Sequence, residues 1–306
     1  MHLLVTAPSP VLVPDLKDLD AYRNAAWLLK RQAISVLPSV QSLKVLGGTS
    51  RRDPSTEPFV GFGDPVFRLP AVPQSGGSRR FALAAGPYSD YWSGIETNRD
   101  ALANGLAALP GTADELKAVA SDVGAPIGDV YLGKAASEGT VKTVPLSNFR
   151  IIYFATHALV AGDIKGLGEP ALALTLPEKP TALDDGLLTA SEVAELKLNA
   201  DWVVLSACNT AAGEKPGAEA LSGLARAFFY AGAHALLVSH WDVNSDAAAR
   251  LMTKMFAVMK SDVHISRSEA LRRAMIEYMN DKTDPWSAHP AFWGPFSFIG
   301  DSHSEN

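Results

Sequence analysis

Two short apolar runs decide the fold of this chain: Arg150-Ile-Ile-Tyr-Phe-Ala-Thr-His157 and Asp201-Trp-Val-Val-Leu-Ser-Ala-Cys208. Each run is rich in β-branched and aromatic residues, which is the pattern of a buried strand. About 50 residues separate the runs, enough for one crossover connection, so we expect neighbouring strands of a parallel sheet. The carboxyl ends of such strands open into the ligand crevice. The sequence therefore predicts that an imidazole and a thiol meet at one edge of the sheet.

Helical patterns surround these runs. Thr112-Ala-Asp-Glu115 and Thr189-Ala-Ser-Glu192 both match the capping box that begins a helix. The sequence predicts five further helices and a third core strand. Two short helices are expected at residues 39–46 and 137–142, longer helices with an apolar face at residues 217–231, 245–259 and 266–279, and the strand at residues 235–239. Strands that alternate with helices indicate an α/β fold with a mostly parallel central sheet.

We expect a single folded domain. Residues 1–50 form its N-terminal edge, which looks truncated, and residues 51–110 contribute a strand and a long surface excursion. Residues 111–301 form the core, and residues 302–306 are a tail. The sequence has no internal repeat of about 20–50 residues, so the chain is not itself a helical-repeat array.

The composition is that of an ordinary soluble globular protein, with 47% hydrophobic and 20% charged residues. A formal net charge of −6 argues against a surface for nucleic acid. No run of about 18 apolar residues is present to cross a membrane, and the start is a poor secretory signal. One cysteine excludes an internal disulfide and fits a reducing compartment. We therefore expect a cytoplasmic protein.

The chemistry of the two strand ends favours nucleophilic catalysis. An isolated thiol, with a pKa of about 8.5, is only a few per cent thiolate at neutral pH. An adjacent imidazole takes its proton, so His157 next to Cys208 would be the base, and then the acid for the leaving amine. The backbone N–H groups of Ala158 and Cys208 are candidates for the oxyanion hole. Taken singly, however, a lone cysteine is more often a small buried hydrophobe.

Other side chains give no sign of a metal or cofactor. The remaining histidines lack metal-ligand spacing, and Asp184-Asp185-Gly186 reads as a turn because it lacks the other ligands of a calcium loop. Gly61-Phe-Gly63 is too short for a dinucleotide-binding fingerprint. We expect no cofactor, no metal, no nucleic acid and no membrane partner.

Five blocks of the sequence carry a resemblance to a known family. They are Tyr153-Phe-Ala-Thr-His157, Asp185-Gly-Leu-Leu-Thr-Ala-Ser-Glu192, Leu198-Asn-Ala-Asp-Trp-Val-Val-Leu-Ser-Ala-Cys-Asn-Thr210, Gly223-Leu-Ala-Arg-Ala-Phe-Phe-Tyr-Ala-Gly-Ala233 and Ser239-His-Trp-Asp-Val-Asn-Ser-Asp246. In this order they resemble the CHAT family of caspase-like domains. The resemblance implies a caspase-haemoglobinase fold, which is a three-layer α/β sandwich. It also implies a cysteine endopeptidase of caspase or separase type with a dyad of His157 and Cys208. Its expected partners are a protein or peptide substrate and an upstream tetratricopeptide-repeat region or regulatory protein.

Two departures from the family pattern bear on activity. Ala158 follows the histidine where members of the family commonly have glycine, and its methyl group would crowd the oxyanion hole. The chain also begins just after the place where an earlier strand is expected. These departures keep open the alternative of an inactive caspase-like interaction scaffold. A third possibility, a hydrolase of small amides, would need a lysine at a strand end near Cys208, and the sequence places none there.

The last of the five blocks suggests a substrate preference. It resembles a segment of separase in which acidic groups receive arginine, so Asp242 and Asp246 are candidates for a pocket that holds a basic residue. Ser206 and Trp241 are further candidates for substrate binding. The opposing interpretation is structural, because Asn244-Ser245 followed by Asp246 also fits a helix cap with a favourable carboxylate in the first turn.

Overall fold

A seven-stranded sheet forms the centre of the molecule in the computed structural model. The structure describes residues 3–7, 19–37, 55–67, 92–93, 96–97, 106–160, 167–206, 223–241 and 243–300. In spatial order the strands of the sheet are β1 (Ser35–Val36), β12 (Phe296–Gly300), β11 (Ala235–Ser239), β10 (Trp202–Leu205), β6 (Phe149–Ala155), β2 (Glu57–Pro65) and β5 (Val130–Gly133). The predicted helix at residues 39–46 and most of the predicted excursion after residue 71 lie outside the described residues.

All neighbouring strands of this sheet run parallel except β11 and β12, which are antiparallel. The two runs that indicated the fold, β6 and β10, are direct neighbours with Trp202 opposite Ile151 and Leu205 opposite Phe154. This register brings the carboxyl ends of both strands to the same edge. The prediction of an α/β fold with a mostly parallel central sheet is confirmed.

Helices cover both faces of the sheet. They are α1 (Leu19–Asn24), α2 (Gly111–Asp122), α3 (Glu138–Thr143), α4 (Ala190–Glu195), α5 (Gly223–Ala231), α6 (Ser245–Ser261), α7 (Arg267–Met279) and α8 (Pro290–Trp293). One apolar core joins the sheet to α2, α6 and α7, and a second joins it to α3, α4 and α5. Because side chains alternate along a strand, Tyr153 faces the first core and Phe154 the second. The result is three layers.

Two small sheets complete the described structure. A three-stranded antiparallel sheet contains β7 (His157–Leu159), β8 (Ala171–Ala173) and β9 (Leu187–Thr189). The strands β3 (Trp92–Ser93) and β4 (Glu96–Thr97) pair with each other. Since a single residue, Thr156, separates the end of β6 from the start of β7, the three-stranded sheet lies at the carboxyl edge of the central sheet. It therefore frames the place where the site was expected.

One of the two predicted capping boxes is wrong. Helix α2 begins at Gly111 with Pro110 as its N-cap, so Thr112 already lies within the first turn. The Thr112 hydroxyl donates to the Leu109 carbonyl at 2.7 Å and accepts from the Asp64 N–H at 2.8 Å. Because both of these hydrogen bonds go to other backbone groups, the Thr112 hydroxyl does not cap the Glu115 N–H, and no capping box forms. The Glu115 side chain is instead buried in the protein.

The second predicted capping box is confirmed. Thr189 is the N-cap of α4, and its hydroxyl accepts from the Glu192 N–H. The Glu192 carboxylate in return accepts from the Thr189 N–H at 2.9 Å. Lys142 of α3 also donates to Glu192 at 2.8 Å, which ties the two helices together.

Candidate active site

His157 lies where β6 gives way to β7, at the carboxyl edge of the central sheet. A bend at Thr156 separates the two strands, and the buried Thr156 hydroxyl donates to the Ala173 carbonyl on β8. His157 itself pairs with Ala173 in the β7–β8 ladder. The backbone of the histidine is therefore held from both sides, and its half-buried ring projects at the edge that the sequence predicted.

A backbone carbonyl fixes the orientation of the His157 ring. Its Nε2 lies 2.8 Å from the Ala107 carbonyl oxygen. Because a carbonyl oxygen can only accept, Nε2 carries the proton and donates it, and in the neutral ring Nδ1 is the basic nitrogen. The Phe67 ring, 5.5 Å away between centroids and tilted by 47°, packs against the imidazole. The arrangement presets the tautomer that a base needs.

Ser206 extends the neighbouring strand β10 at the same edge. Its N–H donates to the Phe154 carbonyl at 3.0 Å, which continues the parallel pairing with β6 beyond Leu205. Cys208 follows two residues later and lies outside the described residues, as does Asp242. The structure thus brings together the two strands that carry the predicted dyad, and it locates the histidine but not the thiol.

A small cavity of about 20 Å³ adjoins His157 and Ser206. This volume is comparable to that of one water molecule. Its lining residues come from α2, α6, β12 and the ends of β6 and β10: Leu109, Thr112, Glu115, Thr156, His157, Ser206, Val243, Ser245, Ala248 and Phe296. The larger surface depressions in the described structure lie between α6 and α7 and between α3 and α4, away from the histidine.

Glu115 is the residue of this cavity that the sequence interpretation missed. Its side chain is 2% exposed, and Oε1 accepts a hydrogen bond from the Tyr153 hydroxyl. Within the described structure, Glu115 Oε2 and Ser206 Oγ are buried polar atoms without a hydrogen-bond partner. Burial raises the pKa of the Glu115 carboxyl from 4.5 to about 7, although the nearby hydroxyls of Tyr153 and Ser206 act to lower it. A buried acid thus titrates near neutral pH beside the histidine.

The sequence did contain a signal for Glu115. Thr112, Glu115, Leu116 and Val119 follow the spacing of one helix face, and all four are buried. A carboxylate within an apolar stripe indicates a buried acid. This indication was missed because Thr112 to Glu115 also match the sequence pattern of a capping box.

The remaining predicted site residues lie at different distances from this cavity. Ala158 sits in β7 opposite Leu172 and is half-buried against the second core. The Trp241 indole donates to the Ala291 carbonyl at 3.0 Å. Asp246 is exposed in the first turn of α6 and does not line the cavity. Asn244 is the N-cap of α6 and accepts from the N–H groups of Asp246 and Ala247, so the predicted helix cap is confirmed.

In the part of the chain that the structure describes, no group of three or more histidine, cysteine, aspartate or glutamate residues is placed to hold a metal ion. Of the described helices, none combines the length and the apolar character needed to span a membrane.

Comparison with solved structures finds partial likenesses at low identity. The crystal structure of the Arg-specific cysteine proteinase gingipain R matches with a TM-score of 0.38 and 8% identity, over 65% of this chain and 43% of that one. The complex of the pro- and mature domains of Porphyromonas gingivalis RgpB matches with a TM-score of 0.37 and 8% identity, over 65% and 44% of the two chains.

Comparison of sequences gives closer relatives and a family. Tetratricopeptide repeat protein 28 of Mus musculus is 29% identical over 199 residues, and that of Homo sapiens is 28% identical over 199 residues. Each match covers 55% of this chain but only 8% of the relative, so the chain spans a small part of their length. The family model described as CHAT domain matches residues 10–301. The chain therefore belongs to the CHAT domain family.

Proposed function

We propose that this chain is a cysteine endopeptidase of caspase or separase type, in which Cys208 is the nucleophile and His157 the base. The observation that carries the proposal is the preset imidazole. His157 stands at the carboxyl end of β6 with Nε2–H donated to Ala107, and β10, the adjacent strand, leads directly towards Cys208. Membership of the CHAT domain family supports the same assignment.

The proposed reaction uses the histidine twice. Nδ1 of His157 takes the proton from the Cys208 thiol, and the thiolate attacks the scissile carbonyl carbon. The N–H groups of Ala158 and Cys208 donate to the oxyanion that forms. The imidazolium then gives its proton to the leaving amine, which departs and leaves a thioester. Water, deprotonated by His157, hydrolyses the thioester and restores the thiol.

The substrate preference belongs to the proposal as well. Asp242 and Asp246, with Ser206 and Trp241, would receive a basic side chain at the cleavage position. The exposed carboxylate of Asp246 is available for such a contact, because the cap of α6 is made by the Asn244 side chain. Activation by a tetratricopeptide-repeat region or another regulatory protein, and a cytoplasmic location, are parts of the same proposal.

One observation favours a second candidate, an inactive interaction scaffold. Ala158 packs its methyl group against the second core within β7, at the position proposed for the oxyanion hole. Because its side chain is anchored in this core, the backbone of Ala158 is less free than that of a glycine to turn its N–H towards a peptide carbonyl. The fold would then serve binding alone.

Labelling with an electrophilic peptide probe separates the two candidates. Since the chain has one cysteine, a peptide acyloxymethyl ketone reports on Cys208 alone. We expect labelling of the native chain, none of Cys208→Ala, and a loss of about 10²- to 10⁴-fold in His157→Ala. His234→Ala is the matched control, because His234 lies at the opposite edge of the sheet, where its N–H donates to Ala200. Labelling that survives His157→Ala, with no cleavage of an Arg- or Asp-containing peptide library, establishes the scaffold instead.

A further inference from the structure

The Glu115 carboxylate has one hydrogen-bonded oxygen and one buried oxygen without a hydrogen-bond partner in the described structure. Oε1 is held by the hydroxyl of Tyr153 from the adjacent strand β6. Oε2 is buried and has no hydrogen-bond partner in the described structure. Glu115 lines the cavity together with His157 and Ser206, and the neutral Ser206 hydroxyl is close enough to lower the pKa of the Glu115 carboxyl but supplies no positive charge. An unpaired buried oxygen of this kind costs free energy, so its persistence calls for a compensating partner.

His157 is the one described residue lining the cavity that can carry a positive charge. The charged groups nearby are turned elsewhere. On α2, Asp114 and Lys117 pair with each other on the exposed face. On α6, Ser245 and Ala248 line the cavity, while Asp246 is exposed to solvent.

On the sheet side, β6 presents Tyr153, which is neutral because burial and the neighbouring Glu115 raise its pKa well above the ordinary value. On β2, Asp64 is half-buried and donates its N–H to Thr112. Burial raises the pKa of Asp64, opposed by Lys117. No cation from the described parts of these elements reaches Glu115, so the charge complementary to it is that of the imidazolium.

We propose that Glu115 is a positioning residue for the catalytic histidine: held by Tyr153, it faces the cavity beside His157 and stabilises the imidazolium that accompanies the Cys208 thiolate. The proposal rests on the proposed function, since only a cysteine nucleophile requires that ion pair. It assigns to Glu115 an electrostatic role without contact to the substrate. Because two such groups influence each other, the positive histidine in turn favours the ionised glutamate.

The test is the titration of the His157 ring followed by NMR in the whole chain, with His157→Ala used to assign its resonance. In Glu115→Gln the amide oxygen can still accept from Tyr153, while the negative charge is lost. At an effective dielectric constant of about 20, a carboxylate on the other side of a small cavity raises the pKa of a histidine by about one unit, because it stabilises the positive ring. We therefore expect the pKa of His157 to fall by about one unit in Glu115→Gln. Glu115→Asp, which keeps the charge, restores part of the shift.

Glu138→Gln is the matched control. Glu138 is also buried, at 1% exposure, and burial raises its pKa to about 7 against the hydrogen bonds from Lys142 and two backbone N–H groups. It lies in α3 on the other face of the sheet, where Asp185 and Gly186 donate to it at 2.7 and 2.9 Å. We expect the titration of His157 to be unchanged in this variant.

The outcomes separate this inference from the proposed function. A pKa of His157 that is equal in the native chain and Glu115→Gln overturns the positioning role, even where probe labelling of Cys208 falls. The same holds for a shift that Glu138→Gln reproduces. A native chain that the peptide probe fails to label refutes the peptidase, while a one-unit shift confined to Glu115→Gln still establishes the coupling of the two side chains.

Discussion

Two stretches of this chain share the pattern Thr-x-x-Glu and differ in what the pattern does. At Thr189 to Glu192 the two side chains bind each other's backbone and begin α4. At Thr112 to Glu115 the threonine binds the flanking backbone, and the glutamate turns inward to Tyr153 beside the candidate active site. The same four-residue pattern makes a helix end in one place and a buried acid in the other.

The difference comes from where each helix begins. Thr189 has extended backbone angles and is the N-cap, so its side chain reaches the N–H three residues on. Pro110 starts the other helix earlier, which leaves Thr112 inside the first turn. A shift of two residues in the helix start therefore separates a glutamate that caps a helix from one that lines the cavity.

The pKa values of the two glutamates are shifted in opposite directions from the ordinary value of 4.5. Burial dominates at Glu115 and raises its pKa to about 7. Burial also acts to raise the pKa of Glu192, but hydrogen bonds from Lys142 and Thr189 outweigh it and lower that pKa below 4.5. The contribution of Glu115 to stability should therefore fall as pH rises, whereas that of Glu192 should fall as pH is lowered.

The largest expected effect concerns Glu115. A folded-state pKa raised above the unfolded value of 4.5 means that the folded chain holds the proton longer, so stability is highest below pH 4.5 and is lost as pH rises to about 7. The loss amounts to about 3 kcal/mol. We expect Glu115→Gln to remove it, which urea unfolding at pH 4.5 and pH 8 measures. An unfolding free energy whose change between these two pH values is the same in both chains contradicts the assignment.

The next effect concerns the threonine of the same stretch. Thr112→Val keeps the shape but leaves the Asp64 N–H without its partner, while the Leu109 carbonyl keeps only its hydrogen bond from the backbone N–H of residue 112. We expect a cost of about 2 kcal/mol in unfolding free energy. Because Leu109 lies two residues from Ala107, the carbonyl that orients His157 shifts as well. We expect both a lower urea midpoint and slower labelling of Cys208 by the peptide probe. Labelling at the native rate would show that the loop is held by other contacts.

A smaller effect is expected at the true capping box. Thr189→Ala removes the N-cap side chain of α4 and costs about 1 kcal/mol of unfolding free energy. Probe labelling of Cys208 is expected to remain at the native rate, since Thr189 does not line the cavity. Thermal unfolding and labelling of the same preparation measure both. A loss of labelling would place α4 within the site.

The smallest effect concerns Glu192. Its lowered pKa contributes stability above pH 4.5 that is lost as pH falls through the folded-state value, the reverse of Glu115. Its side chain is 30% exposed, so Glu192→Gln is expected to cost less than about 1 kcal/mol at pH 7. The cost should shrink further towards pH 3. A cost that grows on acidification would reverse the assigned sign.

The sequence predicted the elements whose signal is local. The continuous apolar runs of β6 and β10 leave little choice but buried parallel strands, and this placed His157 at the carboxyl edge. The hydrogen bond from His157 to Ala107 was not predictable, because it joins a ring to a backbone carbonyl brought near only by folding. Glu115 was hidden because its helix pattern and a capping pattern coincide, and only the true helix start distinguishes them.

The position of β12 has a consequence for how this protein is made. The edge strand β1 pairs with β12 alone in the described sheet, about 260 residues later in the chain. At a synthesis rate of about 5–20 residues per second, Ser35 and Val36 leave the ribosome tens of seconds before their partner exists. Because β12 lies between β11 and β1, the central sheet is complete only after β12 has left the ribosome. Until then the edge of β11 that β12 will cover is unpaired and open to pairing with another chain.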